Sequence, residues 1–507
     1  MLLTLDASLH KPLYVQIRDQ LRERILMGVL KPGDRLDPSR ELAKTLGVHR
    51  TTVGNAYADL EAEGLIQGTV GRGTFVSSLA ATLRAPAART SGRKSNDLFW
   101  NSVLAPEPQD NSLGRLLASS LEPGVISFAA PRCPEALSPV DLVRRATDAA
   151  LHREGARLLH YGPSDGYPPL KRFLQGQLRR DGVETELDEI LITNGCQQAL
   201  DLLRRSLTEP GDAVACENPT YYGLWQAYDA SGIRLIGIPV GPEGMDLEYL
   251  RAVLEQNKLK LILTSPSFQN PTGRTMPLPA RKQLLEIAAR HQVPVVEDDI
   301  YSALRYTGRA LPPLKALDTS GLVIYLNSFS KVGFPGLRVG WIVAARRVIE
   351  HLRLAKQRAD MHTNQLGQAV MEEFGRRGWL EKLVRRIRRE YAHKLEVLRR
   401  AAKSYFPPEV RCHFPEGGMS VWVEMPAGLD SLELLARARD QRVIFAPSPY
   451  FYFQNPQHNA FRLSYTALPD ELIEKGIRIL GELLTGELRK VSKTRKRAPD
   501  GARVALV

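Results

Sequence analysis

Cysteine is scarce in this chain: Cys133, Cys196, Cys216 and Cys412 are the four in 507 residues, far apart and without a C-x-x-C pair. That spacing excludes a disulfide framework and a cysteine-based zinc site, so reduced thiols and no metal are expected. Long apolar runs are missing as well. None approaches the roughly 18 residues of a membrane helix, and the start, MLLTLDASLHKPLY, lacks the charged region and small-residue cleavage site of a signal peptide. The chain reads as cytoplasmic, with no membrane partner. Internal repeats are also absent. What is present is ordinary for a globular protein, 43% hydrophobic and 25% charged residues, which excludes disordered, collagenous and coiled-coil classes. The length has room for about three domains, or for one large α/β domain with additions.

Net charge is +13, from 69 basic and 56 acidic residues, which admits a polyanionic partner. Residues 1–78 carry 10 basic and 9 acidic side chains, and residues 487–507 carry 7 and 2, so the excess does not sit at the N-terminus. Another basic cluster, Arg376 to Lys403, has Leu380, Leu383, Val384, Ile387, Tyr391, Leu395 and Leu398 at helical spacing. It predicts a helix with an apolar stripe inward and arginines in water.

Composition divides the chain into a helical N-terminal zone (1–77), a linker rich in Ala, Pro, Ser, Arg and Asn (78–120), a large zone (121–486) and a basic tail (487–507) expected to be disordered. In the large zone the runs EILIT, DAVACE, RLIGIPV, LKLILT, VPVVEDD and LVIYLN alternate with helical stretches. That alternation predicts a largely parallel sheet with helices on both faces.

In the N-terminal zone Leu13, Ile17, Leu21 and Ile25 recur at four-residue steps, predicting one amphipathic helix that ends near Gly28. Asp37 is placed to cap, and Pro38 to open, a second helix, SRELAKTL, which stops at Gly47; a third runs from about His49. Two short helices across a Gly-containing turn make a helix-turn-helix, and LIQGTVGRGTFV adds a hairpin tipped by Gly71, Arg72 and Gly73. His49, Arg50, Thr51 and Thr52 put hydrogen-bonding groups at the start of the recognition helix.

The stretch YVQIRDQLRERILMGVLKPGDRLDPSRELAKTLGVHRTTVGNAYADLEAEGLIQGTVGRGTFV resembles the GntR family of bacterial repressors over about 65 residues. The resemblance implies a winged helix-turn-helix that binds a double-stranded DNA operator through Arg40, His49, Arg50, Thr51, Thr52, Gly71, Arg72 and Gly73. This sequence departs from the family pattern in having Asp37 before the proline and His49 in place of a Ser or Thr at the head of the recognition helix. A packing-only role is the alternative, but Arg40, Arg50 and Arg72 are residues that packing would not need.

In the large zone, NSFSKVGFPGLRVGW sets Lys331 just past a strand, between Ser328, Ser330 and Arg338. A lysine there can condense with an aldehyde beside a phosphate cradle. VPVVEDDIY puts Asp298 and Tyr301 at a strand end, suited to a pyridinium nitrogen and a phenolate oxygen. TNGCQQAL offers the backbone N–H groups of Gly195, Cys196 and Gln197 at a helix N-terminus, where an anion binds. Asn270 in SFQNPTG is a second phenolate partner, Tyr221 in ENPTYYG an aromatic face, and Arg462 in FRLSYTAL a clamp for a carboxylate. Taken singly, Asp298 reads equally as a surface acid, Tyr221 as core and Arg462 as an ion-pair partner; together they point to pyridoxal 5'-phosphate.

From about 121 to 486 these pieces resemble the fold-type I aminotransferases. The resemblance implies an α/β PLP-dependent transferase fold with a smaller C-terminal α+β subdomain, and pyridoxal 5'-phosphate (PLP) carried as an aldimine on Lys331. It implies Asp298 at the pyridine nitrogen, Tyr301 and Asn270 at the phenolate, Tyr221 stacked on the ring, and Gly195, Cys196, Gln197, Ser328 and Arg338 on the phosphate. Tyr161, in HYGPSDGYPPL, resembles a phosphate-binding tyrosine lent by the neighbouring subunit, and Arg462 the α-carboxylate arginine. A GntR-like winged helix, a linker of about 40 residues and this domain together resemble the MocR subgroup, the GabR-type regulators. That implies a bacterial, cytoplasmic transcription regulator, on the nucleoid when bound to DNA. It implies a head-to-tail homodimer whose large domain senses PLP or an amino compound, and a linker long enough for the crossover. A working aminotransferase that carries a DNA-binding domain is the second reading, and a dimerisation scaffold the third.

Overall fold

The computed structural model describes residues 12–26, 33–62, 65–69, 73–77, 112–120, 122–229 and 231–497, together with Leu5, Leu30 and Lys31. They belong to two compact units, Met1–Glu107 and Pro108–Val507.

The N-terminal unit contains α1 (Leu13–Leu26), α2 (Ser39–Leu46), α3 (Arg50–Ala62), β1 (Ile66–Thr69) and β2 (Gly73–Val76). The four-residue steps of α1 bury Ile17, Leu21 and Ile25 in one cluster with Leu42, Val53, Ala56 and Leu60, while Leu13 is half-buried. β1 and β2 pair antiparallel, Ile66 opposite Val76, and Arg35 bridges to Phe75 beside them. Gly47 ends α2 in the left-handed region at φ +66°, returning its N–H to the carbonyls of Ala43 and Lys44.

Two details differ from expectation. Asp37 does not cap α2: Pro38, extended at φ −53° and ψ 139°, takes the cap position itself and leaves Asp37 one residue too early. The Asp37 carbonyl instead accepts the Tyr57 hydroxyl at 2.7 Å. His49 stands before α3 rather than within it. Its Nδ1 accepts the Thr51 backbone N–H at 3.4 Å and lies 2.8 Å from the Thr51 hydroxyl. An imidazole thus does the capping work of a Ser or Thr side chain.

In the large unit β3 (Ile126–Ser127) precedes an eight-stranded sheet. Its strands are β4 (Ile190–Thr193), β5 (Ala213–Asn218), β6 (Arg234–Gly241), β7 (Gly244–Met245), β8 (Leu259–Thr264), β9 (Val295–Asp298), β10 (Val323–Ser328) and β11 (Gly340–Val343). The order is β4-β11-β10-β9-β8-β5-β6-β7. β10, β9, β8, β5 and β6 are mutually parallel. β11 runs antiparallel between β10 and β4, and β7 folds back on β6. The six predicted strands are present; β11 is an addition, too short and too uniformly buried to show a period-two pattern.

Alternation along each strand decides which face a residue serves. Leu263, Val296, Ile324, Leu326 and Ile342 pack with the helices Cys196–Leu207 and Arg346–Asp360. The opposite face is covered by two separate groups. Ile262, Val295 and Val323 meet the helices Leu247–Gln256 and Leu278–His291. Ile192, Tyr325, Trp341 and Val343 meet the helices Pro168–Arg180 and Gln365–Arg376 and the start of Trp379–Tyr405.

The smaller α+β subdomain holds β12 (Arg411–His413), β13 (Ser420–Glu424), β14 (Val443–Ile444), β15 (Ala446–Pro447) and β16 (Ala460–Ser464). Four of these form the sheet β12-β13-β16-β15, while β14 pairs in parallel with β3, so the first strand of the unit belongs to the last subdomain. The helix Trp379–Tyr405 connects the two sheets. It buries Leu380, Leu383, Ile387, Tyr391, Leu395 and Leu398 and exposes Lys382, Arg385, Arg386 and Arg389, as its spacing predicts.

The linker and tail are shorter than composition suggests. Ser112–Ser119, assigned to the linker, is a helix whose Leu116 is buried in the subdomain core. The last helix runs from Asp470 to Arg497, well past 486. Leu484 and Leu488 continue its apolar stripe into that core, and Glu487 pairs with Lys490 one turn on. Residues 498–507 lie outside the described residues. Among the described residues no helix is long and apolar enough to cross a membrane.

Candidate functional site

The large unit gathers its chemistry at the carboxyl ends of the sheet, the edge where α/β folds bind ligands. Asp298 is the last residue of β9, and Lys331 lies on the 3-10 turn Phe329–Val332 that follows β10. Asn270 follows β8, Tyr221 follows β5 and Gly195 follows β4. Each sits where an apolar run gives way to a turn, because the strand core ends there.

Asp298 is 5% exposed, and its Oδ1 has no hydrogen-bond partner. Burial, then the neighbouring Asp299, pushes its carboxyl up to about 7, although Lys331 opposes the shift. Lys331 is half-buried, and burial followed by the Arg462 charge lowers its ammonium to about 8. Its Nζ lies 5.8 Å from the centre of the buried Tyr301 ring. The site therefore holds an acid and a base that both titrate near neutrality.

The turn Asn194–Gly195–Cys196 opens the helix Cys196–Leu207. Gly195 has φ +82°, and a Cβ there would stand 2.7 Å from an Arg338 nitrogen; a Cβ on Gly340 would stand 2.8 Å from the Gly195 Cα. Only glycine fits at either position. Arg338, itself at φ +53°, donates Nη2 to the Asn194 carbonyl at 2.8 Å. Ser328 caps the lysine turn by accepting the Ser330 N–H. Gln197 is exposed and donates to the Gly223 carbonyl at 2.9 Å, while its Oε1 accepts the Tyr221 hydroxyl at 3.3 Å. Burial raises the Cys196 thiol well above its ordinary range, the behaviour of an inert cysteine.

Arg462, 3% exposed on β16, reaches in from the subdomain. It donates Nη1 to Asn270 Oδ1 at 2.6 Å and Nη2 to the Ala129 carbonyl at 2.5 Å, lies over the Phe451 ring at 4.8 Å, and leaves Nε without a partner. Burial lowers its guanidinium to about 10. Tyr161 is not part of this group: it is 81% exposed, with its ring centre 5.8 Å from that of His362 in an edge-on arrangement.

Sequence reasoning missed the supports behind these residues. Asp360 Oδ2 accepts from Asn194 Nδ2 and Gln198 Nε2, both at 2.5 Å, and its Oδ1 pairs with the fully buried Lys356 at 2.7 Å. That clamp fixes the glycine turn from behind. Glu217 accepts from Thr264 at 2.6 Å and from Gln269 at 3.2 Å, and Gln269 in turn holds the Pro219 carbonyl. It ties the Tyr221 loop to the Asn270 loop. A buried Lys356 four residues before Asp360 was the one legible signal, since a charge on an apolar face needs a partner.

In the N-terminal unit Arg40, His49, Arg50 and Thr51 are exposed and Thr52 is half-buried. Gly73 opens β2 at φ +117°. Gly71 and Arg72 lie outside the described residues.

The family model described as aminotransferase class I and II matches residues 126–480, and that of the bacterial regulatory proteins of the gntR family matches residues 13–76. The probable rhizopine catabolism regulatory protein MocR of Rhizobium meliloti is 31% identical over 94% of this chain and 95% of its own. The chain belongs to the class I and II aminotransferases, in their MocR-type fusion to a GntR domain. A 2-aminoadipate transaminase of Thermus thermophilus is 40% identical over 78% of this MocR-type chain and 99% of its own. The crystal structure of LysN, the α-aminoadipate aminotransferase of that organism, complexed with N-(5'-phosphopyridoxyl)-L-leucine, has a TM-score of 0.72 at 38% identity. It matches 77% of this chain and 99% of LysN.

PLP is the cofactor of this domain, and the residues fit it. The buried, unpartnered Asp298 Oδ1 wants a donor such as a pyridinium N–H. The glycine turn leaves a helix N-terminus open to a phosphate, and Lys331 is the amine between them.

Proposed function

We propose that this MocR-type protein is a ligand-responsive transcription regulator. Its GntR domain binds an operator through the exposed group Arg40, His49, Arg50 and Thr51, and its aminotransferase-like domain reads PLP, an amino compound or both. The observation that carries this reading is the gathering of Lys331, Asp298, Tyr301 and Arg462 in one site on the same chain as a GntR domain. Bound in the large domain, PLP supplies an aldehyde that condenses with primary amines and a ring that withdraws electrons.

This chain's residues do the rest. Asp298 holds the ring nitrogen through a charge-assisted hydrogen bond, and Tyr301 and Asn270 serve the phenolate side. Lys331, lowered to about 8, is partly neutral at physiological pH and takes up or gives back a proton at Nζ. Arg462 has a free Nε and two replaceable contacts, so an incoming carboxylate competes with Asn270 and Ala129 for it. That exchange distinguishes the liganded from the unliganded domain, which is what a ligand needs in order to shift an equilibrium. Tyr161, exposed here, serves the neighbouring subunit's phosphate in a head-to-tail homodimer.

Fluorescence anisotropy on DNA from the protein's own upstream region tests the reading, with and without PLP and with a panel of amino acids. Selective, salt-sensitive binding that shifts with PLP or one amine is expected. Binding no tighter than to random DNA under every condition overturns it. The second reading, a working transaminase, is favoured by the near-neutral Lys331 and by the similarity to the Thermus transaminase. Sustained keto-acid formation from an amino donor would establish it.

A further inference from the structure

The two helix groups on the second face of the large sheet pack into separate hydrophobic clusters. Between the helix Pro168–Arg180 and the start of Trp379–Tyr405 on one side, and the stretch Ala310–Pro313 on the other, lies a cavity of about 800 Å³. That is within the range of small-molecule sites, roughly 300–1,000 Å³. Leu174, Leu178, Phe268, Val332 and Leu380 give it apolar walls.

Its polar lining is short of donors. Asp299, 3% exposed, accepts from Ser302 at 2.6 Å and from Tyr325 at 3.1 Å through Oδ2, and the Ser267 hydroxyl and the Arg281 charge also act on the carboxyl, while its Oδ1 is buried with no partner at hydrogen-bond distance. Gln177 Oε1 and Glu381 Oε2, on the opposite wall, are also buried and unpartnered. Against these three acceptors stands one such donor, Trp341 Nε1. A buried acceptor without a partner is destabilising, so three at one cavity leave a standing demand for N–H groups.

The cations nearby have contacts of their own, two with acids and two with neutral oxygens. Arg305 pairs with Glu416, Arg180 pairs with Glu381 at 3.6 Å, and Arg388 donates to the Ala303 carbonyl at 2.5 Å. Arg281, whose charge acts on Asp299, donates to the carbonyls of Met276, Pro266 and Pro312 and to the Ser267 hydroxyl. Arg385 is at the exposed rim and Asp181 completes the charged lining.

We infer that this cavity binds a small organic cation bearing N–H donors on an apolar body, such as an amidine or a guanidine. The head pairs with Asp299 and reaches Gln177 or Glu381, and the body lies along Leu174, Leu178 and Phe268. The site stands back to back with the cofactor site. Asp298 ends β9 on the cofactor side, whereas Asp299 and Asn327 line the cavity, whose edge also reaches Ser328, Phe329 and Val332 of the lysine turn. Lys331, Tyr301 and Arg462 do not line it. It requires neither amine condensation nor DNA, so its failure would leave the regulator reading untouched.

Benzamidine is the probe, because its amidinium supplies charge and donors, its ring supplies the body, and it does not condense with an aldehyde as a primary amine does. Isothermal titration calorimetry of the holoprotein should show one saturable site per chain, with neutral benzamide at least about tenfold weaker. Asp299→Asn keeps the shape and an acceptor for Ser302 and Tyr325 but removes the charge, and should weaken benzamidine about tenfold. Gln177→Trp should abolish binding by filling the cavity from a helix surface. An unchanged cofactor absorption spectrum verifies that each variant folds. Wild-type affinity in both variants, or no saturable heat up to roughly 10 mM benzamidine, overturns the inference.

Discussion

The two units of this chain treat charge in opposite ways. In the N-terminal unit Arg40, His49, Arg50 and Thr51 stand in water, over a core of apolar side chains with Tyr57 and the neutral, buried Gln16. In the large unit Asp298 and Arg462 are at most 5% exposed, and the half-buried Lys331 feels both of their charges. An exposed cation pays little to wait for DNA and is screened by salt, so it supplies attraction and reach. A buried charge is held at a cost that the fold must cover, so it supplies direction, a fixed place where one ligand atom is missing. Recognition of a long polyanion suits the first arrangement and recognition of a small zwitterion the second.

The sharpest way to break this contrast is at the buried group. Lys331→Ala should release the cofactor on gel filtration and abolish any amine effect on DNA binding. Asp298→Ala should weaken PLP by about 10–100-fold, read by titrating the apoprotein and following cofactor absorbance. Arg462→Ala should cost a carboxylated amine a similar factor while changing PLP affinity less than about threefold, the outcome that the proposed role of the arginine as a clamp for the effector's carboxylate requires. At the exposed group, Arg50→Ala should lower operator affinity by about 1–3 kcal/mol in anisotropy, with the PLP spectrum unaltered. Equal damage to both functions by either class of variant would show that the two units do not divide the work.

A smaller effect concerns stability and pH. The Asp298 carboxyl is raised to about 7 from 3.8, so between those values the folded apoprotein holds a proton that the unfolded chain has lost. Its stabilising contribution is complete below the lower value and is lost as pH rises through the upper one. Asp298→Asn should therefore flatten the fall in stability between about pH 4 and 7, and raise apoprotein stability at pH 8 by about 1–2 kcal/mol. Lys331 works in the other window. It is lowered to about 8 from 10.5, so the unfolded chain binds more protons between the two and stability rises with pH there. Differential scanning calorimetry across pH 4–10 reads both. The smallest effect is at the edge of this exposed group, where His49→Ala removes a cap from α3 and should cost about 0.5–1 kcal/mol of N-terminal unit stability.

Much of this was legible because the sequence announces strand ends. Asp298, Lys331, Asn270 and Tyr221 each follow an apolar run, so their convergence on one sheet edge follows from the parallel topology alone. Spacing likewise gave the three N-terminal helices to within a residue or two. What stayed hidden depends on contacts far apart in the chain or on elements too short to carry a period. β11 is four buried residues inside a motif that reads as loop. Asp360 meets Asn194 across 166 positions, and no local pattern reports such a bond. The His49 cap was missed because imidazole is not the expected capping group, and the length of the last helix because its basic composition resembles a tail.

The contact between Gly195 and Gly340 has a consequence for descent. Most tight contacts can be rescued, since a larger residue on one side is offset by a smaller one on the other. Here both partners are already the smallest residue there is, so neither can compensate for the other. A lineage that keeps the cradle has no neutral path through this pair, whereas the loops around it are free to drift. In related copies of this gene, the first side chain at either position should mark a copy that has stopped holding its cofactor, even where Lys331 is still in place.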